Sequence, residues 1–222
     1  MIIGINGKIG SGKDTIGDII QKICITNDGP EFEVKKFAGK LKQIASLLTG
    51  IDVEKFEDQE FKKSLLGNEW GTVKENPLNS IPVFEDVQFN HLMSVRELLQ
   101  KIGTEAMRDG LHENVWVNAL FADYKEEPTN VLKSEGYHLE DAYPNWIITD
   151  MRFPNEMEAV VEKGGITIRV VRNQIRTGNL ILEHPSETAL DGHTMHYEII
   201  NDGTIEDLIE KVKEILIKEN II

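Results

Sequence analysis

The sequence predicts a three-layer α/β fold, a parallel sheet of about five strands flanked by helices, with a mostly helical and loop-like insertion. Two observations carry this. Apolar runs of strand length alternate with segments of helical period, the pattern of βα units wound by right-handed crossovers. The first such unit joins strand to helix through the glycine-rich stretch Gly7-Lys8-Ile9-Gly10-Ser11-Gly12-Lys13. Ligands of such sheets lie at the carboxyl ends of the strands.

Residues 1–6 read as a buried parallel strand, apolar on both alternate faces. A helix follows from about Lys13 to Ile23, with Ile16, Ile19, Ile20 and Ile23 at helical spacing and Cys24 as a small core residue. Asn27-Asp28-Gly29-Pro30 is a turn. Phe32 to Phe37 alternates as a second strand. A second helix starts near Gly39, carries Leu41, Ile44, Ala45 and Leu48 on one face, and stops at Gly50. From Ile51 to His91 charged clusters, prolines and scattered aromatics indicate an insertion of short helices and loops, either a substrate cover or a solvated elaboration. Val95, Leu98, Leu99, Ile102 and Ala106 mark a strong amphipathic helix, with Lys101, Glu105 and Arg108 on another face. A helix from Trp116 to about Tyr124 precedes the polar stretch Lys125–Tyr143, which reads as a loop. Trp146-Ile147-Ile148-Thr149-Asp150 is a core strand ending in an acid. Pro154 and Gly164-Gly165 bracket a short helix. Ile166 to Val171 is a strand, Arg172 to Thr194 a polar loop, and Glu198 to Ile200 a last strand. Thr204, with Asp207 three residues on, caps a final helix whose stripe is Ile205, Leu208, Ile209, Val212, Ile215 and Leu216. The chain is expected to be one domain, with a core of about 1–50 and 92–222, an insertion of about 51–91 and a lid of about 172–194.

The glycine-rich stretch has the chemistry of a phosphate-binding loop. Gly7, Gly10 and Gly12 permit turns in which successive N–H groups point inward, and the following helix adds its positive end. Gly10, Ser11, Gly12, Lys13, Asp14 and Thr15 are therefore expected at a nucleoside triphosphate, with the Lys13 ammonium on the outer phosphates. A Gly-x-x-x-x-Gly-Lys motif is ordinarily followed by Ser or Thr. Here Asp14 follows, with Thr15 after it. Either Thr15 takes the hydroxyl role toward Mg²⁺, or Asp14 holds the ion directly or through water.

Asp150 ends its strand as does an acid that organises Mg²⁺ or takes the acceptor's proton; its alternative is a cap for the helix near Pro154. Phosphoryl transfer gathers charge on the transferred oxygens, which arginine forks meet bidentately. Arg96, Arg108, Arg152, Arg169, Arg172 and Arg176 all lie after the insertion. Arg152, two residues past Asp150, is the best placed, followed by Arg108. Trp116 is either a core residue or a stacking platform for a base. His184-Pro185-Ser186-Glu187 has no suitably spaced second His or Cys, so no metal site is assigned to it.

The net charge of −14 argues against a general nucleic-acid binder and leaves small nucleotides open. Cys24 is the single cysteine, so an internal disulfide is excluded, in keeping with a reducing cytosol. No apolar run has membrane-spanning length and no signal peptide is expected.

Several segments together resemble the deoxynucleoside monophosphate kinases of bacteriophages, within the P-loop nucleoside monophosphate kinase fold. They are Ser11 to Thr15, Phe37-Ala38 with Leu41-Lys42, Val95 to Glu105 with Arg108, Trp116-Val117-Asn118, Asp150 to Glu156, His184 to Glu187, and Asn201-Asp202-Gly203-Thr204. The Gly-Lys-Asp-Thr ending is similar to what this family uses. The resemblance implies transfer of the γ-phosphoryl of ATP to a deoxynucleoside 5′-monophosphate, with Mg²⁺, in the cytoplasm (the host's, if phage-encoded). It implies that Phe37, Ala38, Lys42, Arg108, Trp116 and Arg152 form the monophosphate site, that Lys13, Asp150 and Arg152 are catalytic, and that Arg172 or Arg176 of the lid meets the phosphates. A homodimer is compatible with the family, though no feature of the sequence indicates one. Rival readings are a kinase of another small phosphorylated acceptor, such as dephospho-coenzyme A, and an NTP-hydrolysing switch.

Overall fold

The computed structural model describes residues 1–73, 89–133, 136–172 and 188–222. It divides into two compact units, residues 1–37 with 116–222, and residues 38–115.

The first unit holds a five-stranded sheet in the order β2-β7-β1-β8-β9, formed by β1 (Ile2–Gly7), β2 (Glu33–Lys35), β7 (Trp146–Ile148), β8 (Ile166–Val171) and β9 (Tyr197–Ile200). Every pairing is parallel, so all five carboxyl ends open on one edge. β1 is central, which explains why Ile2, Ile3 and Ile5 have no exposed surface. β2 is an edge strand with Val34 38% exposed, anchored by the buried Phe32 and Phe37 on either side.

Helices α1 (Lys13–Thr26) and α6 (Ile205–Lys218) share one core with the sheet. Ile16, Ile19, Ile20 and Ile23 of α1 meet Leu208, Val212 and Leu216 of α6 in it, and Cys24 is fully buried there. Burying each such side chain contributes about 1.5–3 kcal/mol before entropic costs. Asn27 ends α1, its side-chain amide donating to the Ile23 carbonyl at 2.7 Å. Thr204 starts α6 through a capping box, its hydroxyl accepting from the Asp207 N–H and the Asp207 carboxylate accepting from the Thr204 N–H. Helix α5 (Pro154–Glu162) lies over β1, with Val160 against Gly4. Helix α4 spans Val115–Phe121.

The stretch 125–143, expected as a loop, contains an antiparallel hairpin, β5 (Glu127–Lys133) and β6 (Gly136–Ala142). The two strands pair through their backbones, which does not depend on the apolar alternation that a strand over a core requires.

The second unit contains α2 (Ala38–Thr49), three short 3₁₀ turns, the two-stranded β3 (Thr72–Val73) with β4 (Phe89–His91), and α3 (Val95–Gln100). Ala45, Phe56, Leu66, Val95, Leu98 and Ile102 form its core. Leu48, expected on the buried face of α2, is 57% exposed and is not part of this core. The amphipathic helix after Ser94 is not α-helical throughout: Lys101–Asp109 is a π-helix. Gly103 within it leaves room for Leu41, whose Cδ2 lies 3.0 Å from where a Cβ would stand. Lys101 and Glu105 pair along it at 3.6 Å, as their spacing predicts.

Candidate active site

The glycine-rich loop from Gly7 to Lys13 leaves β1 at the centre of the sheet's carboxyl edge. Gly10 and Gly12 both take left-handed conformations, at φ 79° and 98°, which side chains disfavour. Gly12 is the N-cap of α1, and the Ile16 N–H bonds its carbonyl at 3.0 Å. Within the loop the Ser11 N–H bonds the Lys8 carbonyl at 3.0 Å. The Ser11 hydroxyl is buried, finds no hydrogen-bond partner among the described residues, and folds over Gly7, 2.4 Å from where a Cβ there would stand. Lys8 pairs with Asp191 at 3.4 Å.

Lys13, Asp14 and Thr15 open α1. The Asp14 carboxylate accepts from the Thr149 hydroxyl at 2.9 Å and pairs with Lys36 at 3.5 Å. Thr149 follows β7 and is buried, and Lys36 follows β2. The first turn of α1 is thus tied to two strand ends. Partial burial pushes the Asp14 carboxyl upward, but the Thr149 hydrogen bond and the Lys36 and Lys13 charges outweigh it and hold the group below its ordinary value. Asp14 is therefore ionised at neutral pH.

Asp150 accepts a hydrogen bond from the Phe37 N–H at 2.8 Å, joining the exits of β7 and β2. It is not the cap of α5, which is Phe153. The turn after Asp150 is organised by the buried Glu156, whose Oε2 accepts from the Arg152 N–H at 2.8 Å and the Phe153 N–H at 3.2 Å. The Asn6 amide donates to the Met151 carbonyl at 2.9 Å, joining this turn to β1. Arg172 is exposed at the end of β8, while Arg169 within β8 donates to the carbonyls of Leu190 and His193.

The structure thus gathers the loop from Gly10 to Thr15, Phe37, Asp150, Arg152 and Arg172 on the carboxyl edge of the first unit. Trp116, on α4 of that unit, is 6% exposed. Ala38, Lys42 and Arg108 belong to the second unit. There Lys42 is buried in an ion pair with Glu57, and Arg108 donates to the Glu113 carbonyl at 3.4 Å. Arg176 and His184 to Glu187 lie outside the described residues. Thr149, Lys36, Asn6 and Glu156 were not singled out as site residues from the sequence. Two of them left a signal: Thr149, a polar residue closing an apolar run just before an acid, and Glu156, the last residue of the Asp150 to Glu156 segment.

Among the described residues no cluster of three or more His, Cys, Asp or Glu is placed to hold a metal ion. Mg²⁺ needs no such cage, since it is commonly held by one or two carboxylates together with substrate phosphates and water. An ionised Asp14 beside the loop, with Thr15 and Asp150 near by in sequence or strand position, suits that kind of site. No helix among the described residues is long and apolar enough to cross a membrane.

The deoxynucleotide monophosphate kinase family model matches residues 68–212. A deoxynucleoside-5′-monophosphate kinase of Escherichia phage T5 is 24% identical over 243 aligned positions, covering 90% of this chain and 89% of the relative. The deoxynucleotide monophosphate kinase of Enterobacteria phage T4 is 25% identical, covering 97% and 98%. A putative deoxynucleotide monophosphate kinase of Acanthamoeba polyphaga mimivirus is also 25% identical, covering 96% and 94%. A family match over most of its length, on a chain whose glycine-rich strand-to-helix loop lies at the centre of a parallel sheet, means that this chain belongs to the deoxynucleotide monophosphate kinase family.

Proposed function

We propose that this kinase uses ATP as phosphoryl donor and a deoxynucleoside 5′-monophosphate as acceptor, giving the deoxynucleoside diphosphate and ADP. The chain is a kinase of deoxynucleotide monophosphates; the donor and the residue roles are our reading. The observation that carries it is the left-handed Gly10–Gly12 turn delivering α1 to the middle of the carboxyl edge. The N–H groups of this loop and the N-terminus of α1 receive the phosphates, and Lys13 offsets charge gathering on the transferred group. Mg²⁺ would be held by Asp14 or Thr15, with Asp150 in reach of the same edge, and would neutralise phosphate charge when bound. Arg152, its backbone fixed by Glu156, holds the acceptor phosphate, and Phe37 and Trp116 of the same unit serve the monophosphate. Arg172 or Arg176 meets the donor phosphates. Small nucleotides as substrates support a cytoplasmic location.

The test is ADP release from ATP and Mg²⁺ against dAMP, dGMP, dTMP, dCMP, their ribose counterparts and dephospho-coenzyme A. Turnover that requires a deoxynucleotide is expected, and defines the base range. ADP release without an acceptor, or only with dephospho-coenzyme A, overturns the proposal.

A further inference from the structure

The segment Asn201-Asp202-Gly203-Thr204 stands out in the sequence, and the capping of α6 by Thr204 and Asp207 accounts for only its end. Asn201 does something else. Its side-chain amide donates to the Ser11 carbonyl at 2.8 Å, across 190 residues of sequence. The same nitrogen lies 2.5 Å from where a Cβ on Gly12 would stand. Facing a carbonyl, only the NH₂ end of the amide makes a bond, so the orientation of the side chain is fixed by chemistry. Its own backbone is fixed as well. The Asn201 N–H bonds the Val171 carbonyl at 2.7 Å, and helix α6 begins four residues on. Asn201 is therefore a short strut from the ends of β8 and β9 to the one peptide of the phosphate loop that precedes the left-handed Gly12.

We propose that Asn201 is a positioning residue of the phosphate loop. In a planar trans peptide the carbonyl and the following N–H point in opposite directions. Holding the Ser11 carbonyl toward Asn201 therefore directs the Gly12 N–H away from it, as a preset donor for a phosphate oxygen. Asn201 also sets the requirement at residue 12, since the space a side chain would need holds the Asn201 amide. The donor nucleotide feels this strut, and the acceptor monophosphate does not.

The inference rests on the reading of the loop as the ATP site, and the test separates the two. Binding of ATP without acceptor is measured for the parent chain and for Asn201→Ala and Asn201→Asp, with KM for ATP, KM for the accepted deoxynucleotide, and melting temperature. Asn201→Asp keeps the shape but removes the donor and turns a carboxylate on the Ser11 carbonyl. Loss of ATP affinity by about three- to tenfold is expected for Asn201→Ala, and by more for Asn201→Asp. The KM for the deoxynucleotide should stay within about twofold, because the strut touches only the donor loop. Wild-type ATP affinity in Asn201→Asp would refute the inference while leaving the loop assignment intact. So would equal losses for both substrates accompanied by a lower melting temperature. Absence of ATP binding by the parent chain would refute the loop assignment and the inference with it.

Discussion

Replacing Thr149 by Val tests whether the tie between β7 and α1 is a working part of the site. Thr149 is 1% exposed, and its hydroxyl donates to Asp14 Oδ1 at 2.9 Å. Valine keeps the branched shape and removes the donor. A hydrogen bond to a charged group contributes about 1.5–3 kcal/mol. The Asp14 side chain is 63% exposed, so water replaces part of the loss, and the expected cost falls to about 1 kcal/mol. For a chain of this size that corresponds to a melting point lower by about 2–4 °C. The sign of the pH dependence follows from Asp14, whose carboxyl is held below its ordinary value of 3.8. A depressed carboxylate stabilises the fold above its unfolded value, and that contribution is lost as pH falls through the folded value. The gap between parent and Thr149→Val should therefore be full near neutral pH and close as pH drops below 3.8. Differential scanning calorimetry over that range measures it. In an Asp14→Asn background the hydroxyl faces a neutral amide, and Thr149→Val should cost markedly less. Equal costs in both backgrounds, or a gap independent of pH, would refute the reasoning.

Lys13→Ala should lower kcat by roughly a hundredfold or more, since it removes a preorganised charge from the transferred group. Its melting temperature should stay near that of the parent, and steady-state ADP release with a matched thermal melt reads both. Glu156→Ala leaves the Arg152 and Phe153 N–H groups without their acceptor at the start of α5 and should cost about 2 kcal/mol. Denaturant unfolding measures that loss; KM for the acceptor should rise with it, and Glu156→Gln, which retains an acceptor oxygen, should restore most of both.

The parts of this molecule legible in the sequence are those whose determinants are local. The strand Ile2 to Gly7, the glycines after it and the spacing of Ile16, Ile19, Ile20 and Ile23 sit within two dozen residues, and their periods differ clearly. The capping of α6 by Thr204 and Asp207 is equally local. The hairpin of 127–142 escaped because a ladder closed by its own backbone imposes little on side-chain polarity. The π-helix of 101–109 escaped because apolar spacing over so short a run does not separate it from an α-helix. The sequence names candidate site residues but not their contacts. Asp14 stood out as the wrong residue after Gly-Lys, yet its partners Thr149 and Lys36 are brought in by the order of strands in the sheet, with Thr149 135 residues away.

Those partners give a physical reason for an aspartate at position 14. The sheet order puts the ends of β2 and β7 on one side of β1 and the ends of β8 and β9 on the other. From the first side, Lys36 and Thr149 reach Asp14; from the second, Asn201 reaches the Ser11 carbonyl. A serine at position 14 is too short to join a hydroxyl and an ammonium at once, and it carries no charge for the ammonium. A carboxylate does both. The loop is thereby held at both of its shoulders before any phosphate arrives. Donors fixed in advance need no reorganisation when charge develops, whereas a glycine-rich loop left to itself would lose much conformational entropy on binding. The aspartate and the two glycines are therefore complementary: Gly10 and Gly12 allow the turn, and the ties at Asp14 and Ser11 remove the freedom those glycines would otherwise confer.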